Sequence, residues 1–160
     1  MSATTAAAGP AETFDFDHLV QDEKIHGSLY SNEALFEEEM KKIYYGGWVF
    51  IGHDSEIPKP GDYVRRTIGR EEVMFLRTRA GEIRVVSNRC SHRGNLIAIE
   101  KTGNAKYFTC QYHGWVFDLE GNLVDVPFPG GFTKDRSCFK LKGLKTEVYR
   151  GFIFASFNHD

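Results

Sequence analysis

Two short segments each combine one cysteine with one histidine, and 17 residues lie between His92 of the first and Cys110 of the second. The first reads C-S-H-R-G-N from Cys90, and the second reads C-Q-Y-H-G-W from Cys110. Each follows a predicted strand, so both are expected in loops that can meet at one end of a β-structure. Since cysteine and histidine ligate zinc and iron, the fold must allow these loops to meet. The candidate metal ligands are Cys90, His92, Cys110 and His113.

The order of these side chains distinguishes between kinds of metal site. Zinc fingers and knuckles typically pair cysteine with cysteine and histidine with histidine, whereas each loop here offers one of each. A 2Fe-2S cluster explains the alternation, because two cysteines can hold one iron while two histidines hold the other. Gly94 and Gly114 would let the loop backbones approach such a cluster closely. A structural zinc site and an unrelated set of buried cysteines and histidines remain the alternatives.

The other cysteine and histidine residues show no comparable pattern. Cys138 has no nearby ligand partner and is expected to pack as a small apolar residue. The remaining histidines are expected at the surface or in hydrogen bonds, and they are His18, His26, His53 and His159.

From Trp48 onward the chain has the texture of an antiparallel β-sandwich. Short runs of Val, Ile, Phe and Tyr are separated by turn residues about every 8 to 12 positions. The predicted strands are 48–53, 63–68, 72–78, 83–87, 106–109, 115–119, 122–125 and 145–157, the last broken near Gly151. The predicted turns are 58–61, 79–82, 102–104 and 120–122. The fold class is therefore mainly β.

The N-terminal part is predicted to differ from this β region. Residues 1–13 are expected to form a flexible tail, and residues 14–47 an N-terminal helical segment that precedes the domain at 48–160. The helix is predicted to begin at Ser31 or Asn32 and to stop at Gly46-Gly47. One apolar face is expected along it, formed by Phe36, Met40, Ile43 and Tyr44.

Composition and charge exclude two classes of partner. The formal net charge is -2, with a pI near 6.3, so the chain lacks the basic excess that nucleic-acid binding requires. Apolar runs are far shorter than the roughly 18 residues of a membrane span, which argues against a membrane association. The first residues lack the basic and apolar regions of a secretory signal, so a cytoplasmic location is predicted.

The sequence resembles the N-terminal Rieske domain of the α (large) subunits of Rieske aromatic-ring-hydroxylating oxygenases. The resemblance rests on the helix leading into Trp48, on G-H-D-S-E-I from Gly52, on P-G-D-Y from Pro60, and above all on the two Cys–His motifs. It implies a Rieske-type β-sandwich whose 2Fe-2S cluster receives NADH- or NADPH-derived electrons from a ferredoxin or flavin reductase. The acceptor would be a mononuclear iron in a C-terminal catalytic domain, and the partners would be neighbouring α subunits, with or without β subunits.

That catalytic domain is expected to be absent from these 160 residues, so the chain alone should transfer electrons without hydroxylating a substrate. A stand-alone Rieske ferredoxin is the alternative function, but the N-terminal helix is typical of α subunits. Quinol-oxidising Rieske proteins carry an additional cysteine in each loop, where this chain has Asn95 and Tyr112. Those proteins also place a Ser and a Tyr hydroxyl on the cluster sulfurs, whereas this chain has Trp115 and Phe117 at the matching positions. With fewer donors to the reduced cluster, a reduction potential of about -150 mV, at the low end of the Rieske range, is predicted.

Overall fold

The computed structural model describes residues 13–131 and 135–158, and the chain divides after Lys41 into two compact units. Nearly all of the predicted tail and His159 lie outside the described residues. The first unit contains a short helix α1 (Phe16–Leu19), paired strands β1 (Val20–Gln21) and β2 (Lys24–Ile25), a 3-10 helix (Gly27–Tyr30) and helix α2 (Glu33–Glu39). The predicted helical segment thus also includes a small β-hairpin that the sequence pattern did not indicate.

Helix α2 begins where the sequence predicts, but it does not continue regularly to its glycine stop. The side chain of Asn32 caps it by accepting a hydrogen bond from the amide of Leu35 at 3.0 Å. A π-helical turn, Met40–Tyr44, follows. The wider turn shifts side chains out of the regular α-helical stripe. The predicted apolar face is only partly covered: Met40 is buried, whereas Phe36 and Ile43 are 43% and 57% exposed.

The second unit is built from antiparallel sheets, which confirms the predicted fold class. Its strands are β3 (Val49–His53), β4 (Asp62–Ile68), β5 (Glu71–Arg77), β6 (Ile83–Ser87), β7 (Thr102–Asn104), β8 (Phe108–Thr109), β9 (Val116–Phe117), β10 (Leu123–Asp125), β11 (Lys145–Tyr149) and β12 (Phe152–Ser156). In the described residues they form sheets of order β6-β5-β4-β7, β11-β12-β3 and β10-β9-β8. Short 3-10 helices lie at Asp54–Glu56, Pro129–Gly131 and Arg136–Phe139.

Strand β5 is buried on both faces and places its four-stranded sheet between two hydrophobic cores. Val73 and Phe75 point into one core, and the alternating Met74 and Leu76 point into the other, as the two-residue period of a strand requires. The first, the far-side core, consists of Ile51, Ile57, Val64, Ile68, Val73, Phe75, Val85, Leu144, Ile153 and Ala155. The second, the site-side core, consists of Met74, Leu76, Val86, Cys90, Ile97, Ala98, Phe108, Cys110, Trp115, Phe117, Leu119, Leu123, Val126 and Leu141.

One predicted turn is wrong. Residues Thr102–Asn104 form strand β7, which pairs with β4 so that Gly103 lies opposite Tyr63. A side chain at Gly103 would come within 2.8 Å of the Tyr63 ring, so glycine here makes room for a neighbour rather than for a turn. The other predicted turns lie between strands, and the predicted break near Gly151 separates β11 from β12.

No helix in the described ranges combines the length and hydrophobicity needed to cross a membrane.

Candidate metal centre

The two Cys–His segments form loops with the same backbone hydrogen bonds. The first Cys–His loop (residues 90–95) follows β6, and the second (residues 110–115) joins β8 to β9. In the first, the Cys90 amide donates to the Asn95 carbonyl at 2.8 Å, and the Gly94 amide donates to the Cys90 carbonyl at 2.8 Å. The second loop repeats this pattern from Cys110 to Trp115 and from Gly114 to Cys110 at 2.8 and 2.9 Å. The two loops therefore share one pattern of backbone hydrogen bonds, although His92 is two residues after Cys90 and His113 is three residues after Cys110.

Each loop turns on a glycine in the left-handed region. The φ angles of Gly94 and Gly114 are +73° and +69°, which other residues adopt only with strain. A Cβ at Gly114 would also lie 2.9 Å from Cγ of Pro127, whereas the space beside Gly94 is open. Gly114 thus permits both the turn and the close packing of the segment around Pro127 against the second loop.

The two cysteines lie together at the base of the loops. Cys90 and Cys110 are 3% and 2% exposed in the site-side core, and their thiols are close enough to hydrogen-bond. Burial raises the pKa of the Cys90 thiol, and the neighbouring Cys110 thiol raises it further. The backbone amides of His92 and Arg93 donate to the Cys90 sulfur and oppose this shift. A metal ion would therefore be needed to hold this thiol as a thiolate near neutral pH.

The two histidines form a second pair nearer the surface. The ring centroids of His92 and His113 are 4.7 Å apart. Trp115 stacks on His92 at 4.7 Å with an interplanar angle of 9°, and Tyr112 stacks on His113 at 3.8 Å. Loss of solvent around the ring lowers the pKa of His92, followed by the charges of His113 and Arg93. A lowered pKa favours the neutral imidazole that can ligate a metal.

The four candidate ligands thus form a pair of thiols and a pair of imidazoles. In the described part of the chain, no group of three or more His, Cys, Asp and Glu side chains is arranged to hold one metal ion. Two like pairs fit a dinuclear cluster, in which each metal takes two protein ligands, better than they fit a single zinc ion. The residues present therefore fit a 2Fe-2S cluster with two cysteine and two histidine ligands.

Residues outside the predicted set support this centre. Phe139 contacts Trp115 edge-on at 5.6 Å, and its carbonyl accepts a hydrogen bond from the Ser91 hydroxyl at 2.7 Å. The side-chain amide of Asn88 donates to the Ala98 carbonyl beyond the first loop, and that of Asn95 lies 3.9 Å from the Cys110 sulfur in the second loop. Asn95 ends the first motif and Asn88 precedes it by two residues, but residue spacing does not reveal the partners, which lie 15 and 10 residues further along the chain.

The prediction for Cys138 is wrong, and that for two other histidines is confirmed. Cys138 is exposed, because the 3-10 turn that carries it directs the neighbouring Phe139 toward the site-side core instead. His26 and His53 hydrogen-bond the hydroxyls of Ser28 and Ser55, each at 2.8 Å.

Comparison with known proteins shows which family this chain resembles. Residues 47–144 match the sequence profile of the Rieske [2Fe-2S] domain. The chain is 43% identical to the biphenyl 2,3-dioxygenase α subunit of Rhodococcus jostii (strain RHA1), a match that covers 82% of this chain and 29% of that protein.

Solved structures give the same picture. Naphthalene 1,2-dioxygenase from Rhodococcus sp. superimposes with a TM-score of 0.80 at 34% identity, covering 86% of this chain and 32% of that one. A quaternary ammonium Rieske monooxygenase superimposes with a TM-score of 0.78 at 30% identity, covering 83% and 37%. The chain therefore spans about a third of the length of the proteins it matches.

Proposed function

This chain belongs to the Rieske 2Fe-2S domain family, and we propose that it is the electron-transfer domain of an aromatic-ring-hydroxylating oxygenase α subunit. The observation that carries the proposal is the combination of a pair of buried thiols with a pair of imidazoles nearer the surface, inside the region that matches the family. When bound, a 2Fe-2S cluster supplies a one-electron redox couple.

The four candidate residues divide the ligation between them. Cys90 and Cys110 would hold one iron as thiolates, and their burial in the site-side core keeps water from the sulfur atoms. His92 and His113 would hold the other as neutral imidazoles. Because His92 is exposed, it offers a short path between the centre and a protein that docks on this surface. Trp115 fixes the plane of the His92 ring by stacking on it.

The wider role follows from the relatives. We infer that NAD(P)H-derived electrons arrive from a ferredoxin or flavin reductase and pass to a mononuclear iron in the catalytic domain of the α subunit. Neighbouring α subunits, with or without β subunits, would complete the assembly. The proposed substrate class is an aromatic hydrocarbon, because the relatives include a biphenyl dioxygenase and a naphthalene dioxygenase. A cytoplasmic location is proposed because a reducing compartment keeps cysteines available to a metal.

The extent of the match favours an α subunit over a stand-alone Rieske ferredoxin. The family profile matches residues 47–144, which are 98 of the 160 residues of the chain. The match with the biphenyl relative covers 82% of the chain, so the similarity to an α subunit extends outside the Rieske region.

Iron, zinc and acid-labile sulfide contents of the anaerobically purified chain test the proposal. About two irons and two sulfides per chain are expected, with a rhombic EPR signal of low average g after dithionite reduction. Cys110→Ser and His113→Ala should abolish this signal. Cys138→Ser is the matched control, since it alters an exposed cysteine of the same chain and should leave iron content and the EPR spectrum unchanged.

One zinc without sulfide, in protein from cells supplied with iron, would instead identify a structural metal module. An unchanged EPR signal in Cys110→Ser would contradict the proposed ligand set while leaving the cofactor itself in place.

A further inference from the structure

The side chain of Asn95 joins the two Cys–His loops. This residue closes the first loop, where its carbonyl accepts a hydrogen bond from the Cys90 amide at 2.8 Å. Its side-chain Nδ2 lies 3.9 Å from Sγ of Cys110, a proposed ligand in the second loop. The same nitrogen is 3.0 Å from the Leu96 carbonyl oxygen. One half-buried amide therefore contacts the backbone just after its own loop and the thiol of the other loop.

The Leu96 contact fixes which amide atom faces the sulfur. A carbonyl oxygen can only accept a hydrogen bond, so the side-chain atom beside the Leu96 carbonyl must be the NH2 group. That group carries two hydrogens, and the second is available to the Cys110 sulfur. Asn95 thus presents a donor, and not an acceptor, to the proposed thiolate.

This donor differs in kind from those at the other thiol. The Cys90 sulfur receives backbone amides from His92 and Arg93, which any residue at these positions would supply. The donor to Cys110 from the first loop is a side chain, so substitution at position 95 alone can remove it. Substitution of Asn95 can therefore remove a hydrogen bond to the Cys110 sulfur while all four proposed ligands stay in place.

We propose that Asn95 is a positioning residue that raises the reduction potential of the centre by donating a hydrogen bond to Cys110. The inference rests on the proposed function. Hydrogen bonds to ligand sulfur are among the factors that set the potentials of iron–sulfur proteins. Reduction adds negative charge to the centre, and a hydrogen bond to a more negative sulfur is stronger. The donor therefore stabilises the reduced state more than the oxidised one.

The test is a spectroelectrochemical titration of the full 160-residue chain loaded with its cluster. Asn95→Leu removes the donor at similar volume. At a fixed applied potential it should lower the ratio of reduced to oxidised protein about threefold to tenfold, a downward shift of roughly 30 to 59 mV for a one-electron couple. Asn95→Asp keeps the shape but places a carboxylate beside the sulfur, so it should lower the ratio further.

Asn122→Leu is the matched control. It makes the same replacement at another half-buried asparagine, whose amide bonds the Asp118 carboxylate in the turn before β10 and not a thiol, so the potential should stay at the wild-type value. Resonance Raman spectra provide a second, independent measurement of the hydrogen bond to the sulfur. The stretching modes of the cysteine-bound iron should shift on exchange into D2O in the wild type, and less so in Asn95→Leu.

The outcomes separate the inference from the proposed function. A wild-type chain without two irons and two sulfides would overturn both. A loaded wild type with an unchanged potential in Asn95→Leu, or an equal fall in Asn122→Leu, would overturn the role of Asn95 alone. If Asn95→Leu does not retain the cluster, the isosteric Asn95→Asp decides the question, and an unchanged potential there would overturn the inference.

Discussion

The fully buried side chain of Asn88 fixes the backbone on the C-terminal side of the first Cys–His loop. Its side chain pairs with both backbone groups of Ala98, donating to the carbonyl at 2.9 Å and accepting from the amide at 2.8 Å. Its own amide donates to the Glu72 carbonyl at 2.9 Å. Because Asn88 stands two residues before Cys90 and is fully buried, these bonds set where the first Cys–His loop leaves the sheet.

Asn88→Ala should lower the free energy of unfolding by about 3 kcal/mol, since it leaves both backbone groups of Ala98 buried without partners. Denaturant unfolding monitored by fluorescence measures this. Asn122→Ala is the control, because that amide bonds Asp118 within a half-buried turn and its loss should cost about 1 kcal/mol or less. Equal costs for the two variants would contradict the role given to Asn88.

Asp62 provides a prediction about acid stability. The Asn104 side chain donates to Oδ1 at 2.8 Å and is the largest cause of a lowered Asp62 pKa. The Lys59 amide, and the charges of Lys59 and Arg77, act in the same direction. A lowered folded-state pKa contributes stability that is present above the ordinary value of 3.8 and is lost as pH falls through the folded-state pKa.

Asn104→Ala should therefore raise the Asp62 pKa toward its ordinary value and remove the stability that this carboxylate contributes above pH 3.8, so the difference in unfolding free energy between wild type and variant should shrink as pH falls below 3.8. An NMR titration of side-chain carboxyl carbons measures the pKa directly. Asp135 serves as the internal reference, since its pKa is lowered by the amide and hydroxyl of Ser137 and should not respond. An Asp62 titration curve that coincides with the wild type would refute this assignment.

At the scale of elements, the sequence predicts strands well and irregular segments poorly. Most strands from β3 onward lie close to their predicted positions, because alternating or continuous apolar runs depend on burial alone. Glycine misleads at Gly103, where it makes room for the Tyr63 ring across the sheet. The spacing of apolar residues, which assumes a regular α-helical period, likewise does not predict the π-helical turn that follows α2. Both features depend on contacts or hydrogen bonding that residue spacing does not encode.

The hairpin between β11 and β12 turns on two residues, Arg150 and Gly151, with φ of +50° and +85°. This is the type I′ pattern, which favours asparagine or glycine at the first position. No other non-glycine residue in the described ranges has a positive φ. Arg150 gains a partial compensation, since its guanidinium lies 5.5 Å from the Tyr149 ring centroid.

Arg150→Asn should stabilise the chain by about 0.5 kcal/mol, because relief of roughly 1 kcal/mol of backbone strain exceeds the loss of an exposed cation–π contact. Thermal unfolding measures the change. Arg79→Asn is the matched control: this arginine lies 5.0 Å from the Tyr107 ring centroid without a positive φ, so its loss should destabilise slightly. Destabilisation by both substitutions would show that the turn carries no strain.

For the unit from Lys42 onward, the four-stranded middle sheet separates the candidate centre from half of the hydrophobic interior. The sequence predicts the four ligand candidates from residue types and spacing, and the structure brings the thiols and imidazoles together as like pairs. It does not predict that Cys90 and Cys110 are themselves part of the site-side core. That placement depends on how β8 and β9 pack against β5, which involves residues far apart in the chain.

Removing the cluster should therefore destabilise one side of this unit more than the other. A cluster that binds only the folded chain stabilises it. Through Cys90 and Cys110 it would connect the two Cys–His loops at the site-side core. By analogy with a cross-link of about 2 to 4 kcal/mol, its loss should lower Tm by roughly 5 to 15 °C. Amide exchange should accelerate in residues 88–98 and 110–117, whereas β3 and β12, which bound the far-side core, should keep their protection.

Calorimetry and hydrogen exchange on loaded and chelator-stripped protein measure both effects. Cys110→Ser, which lacks one proposed ligand, is the control and should show the same Tm with and without iron. The middle sheet is the physical reason for the asymmetry, because the far-side residues Val73 and Phe75 keep all their contacts when the loops on the opposite face loosen. Uniform acceleration of exchange across both faces would show instead that the two cores unfold as one cooperative unit, and an unchanged Tm would show that the cluster does not brace the loops.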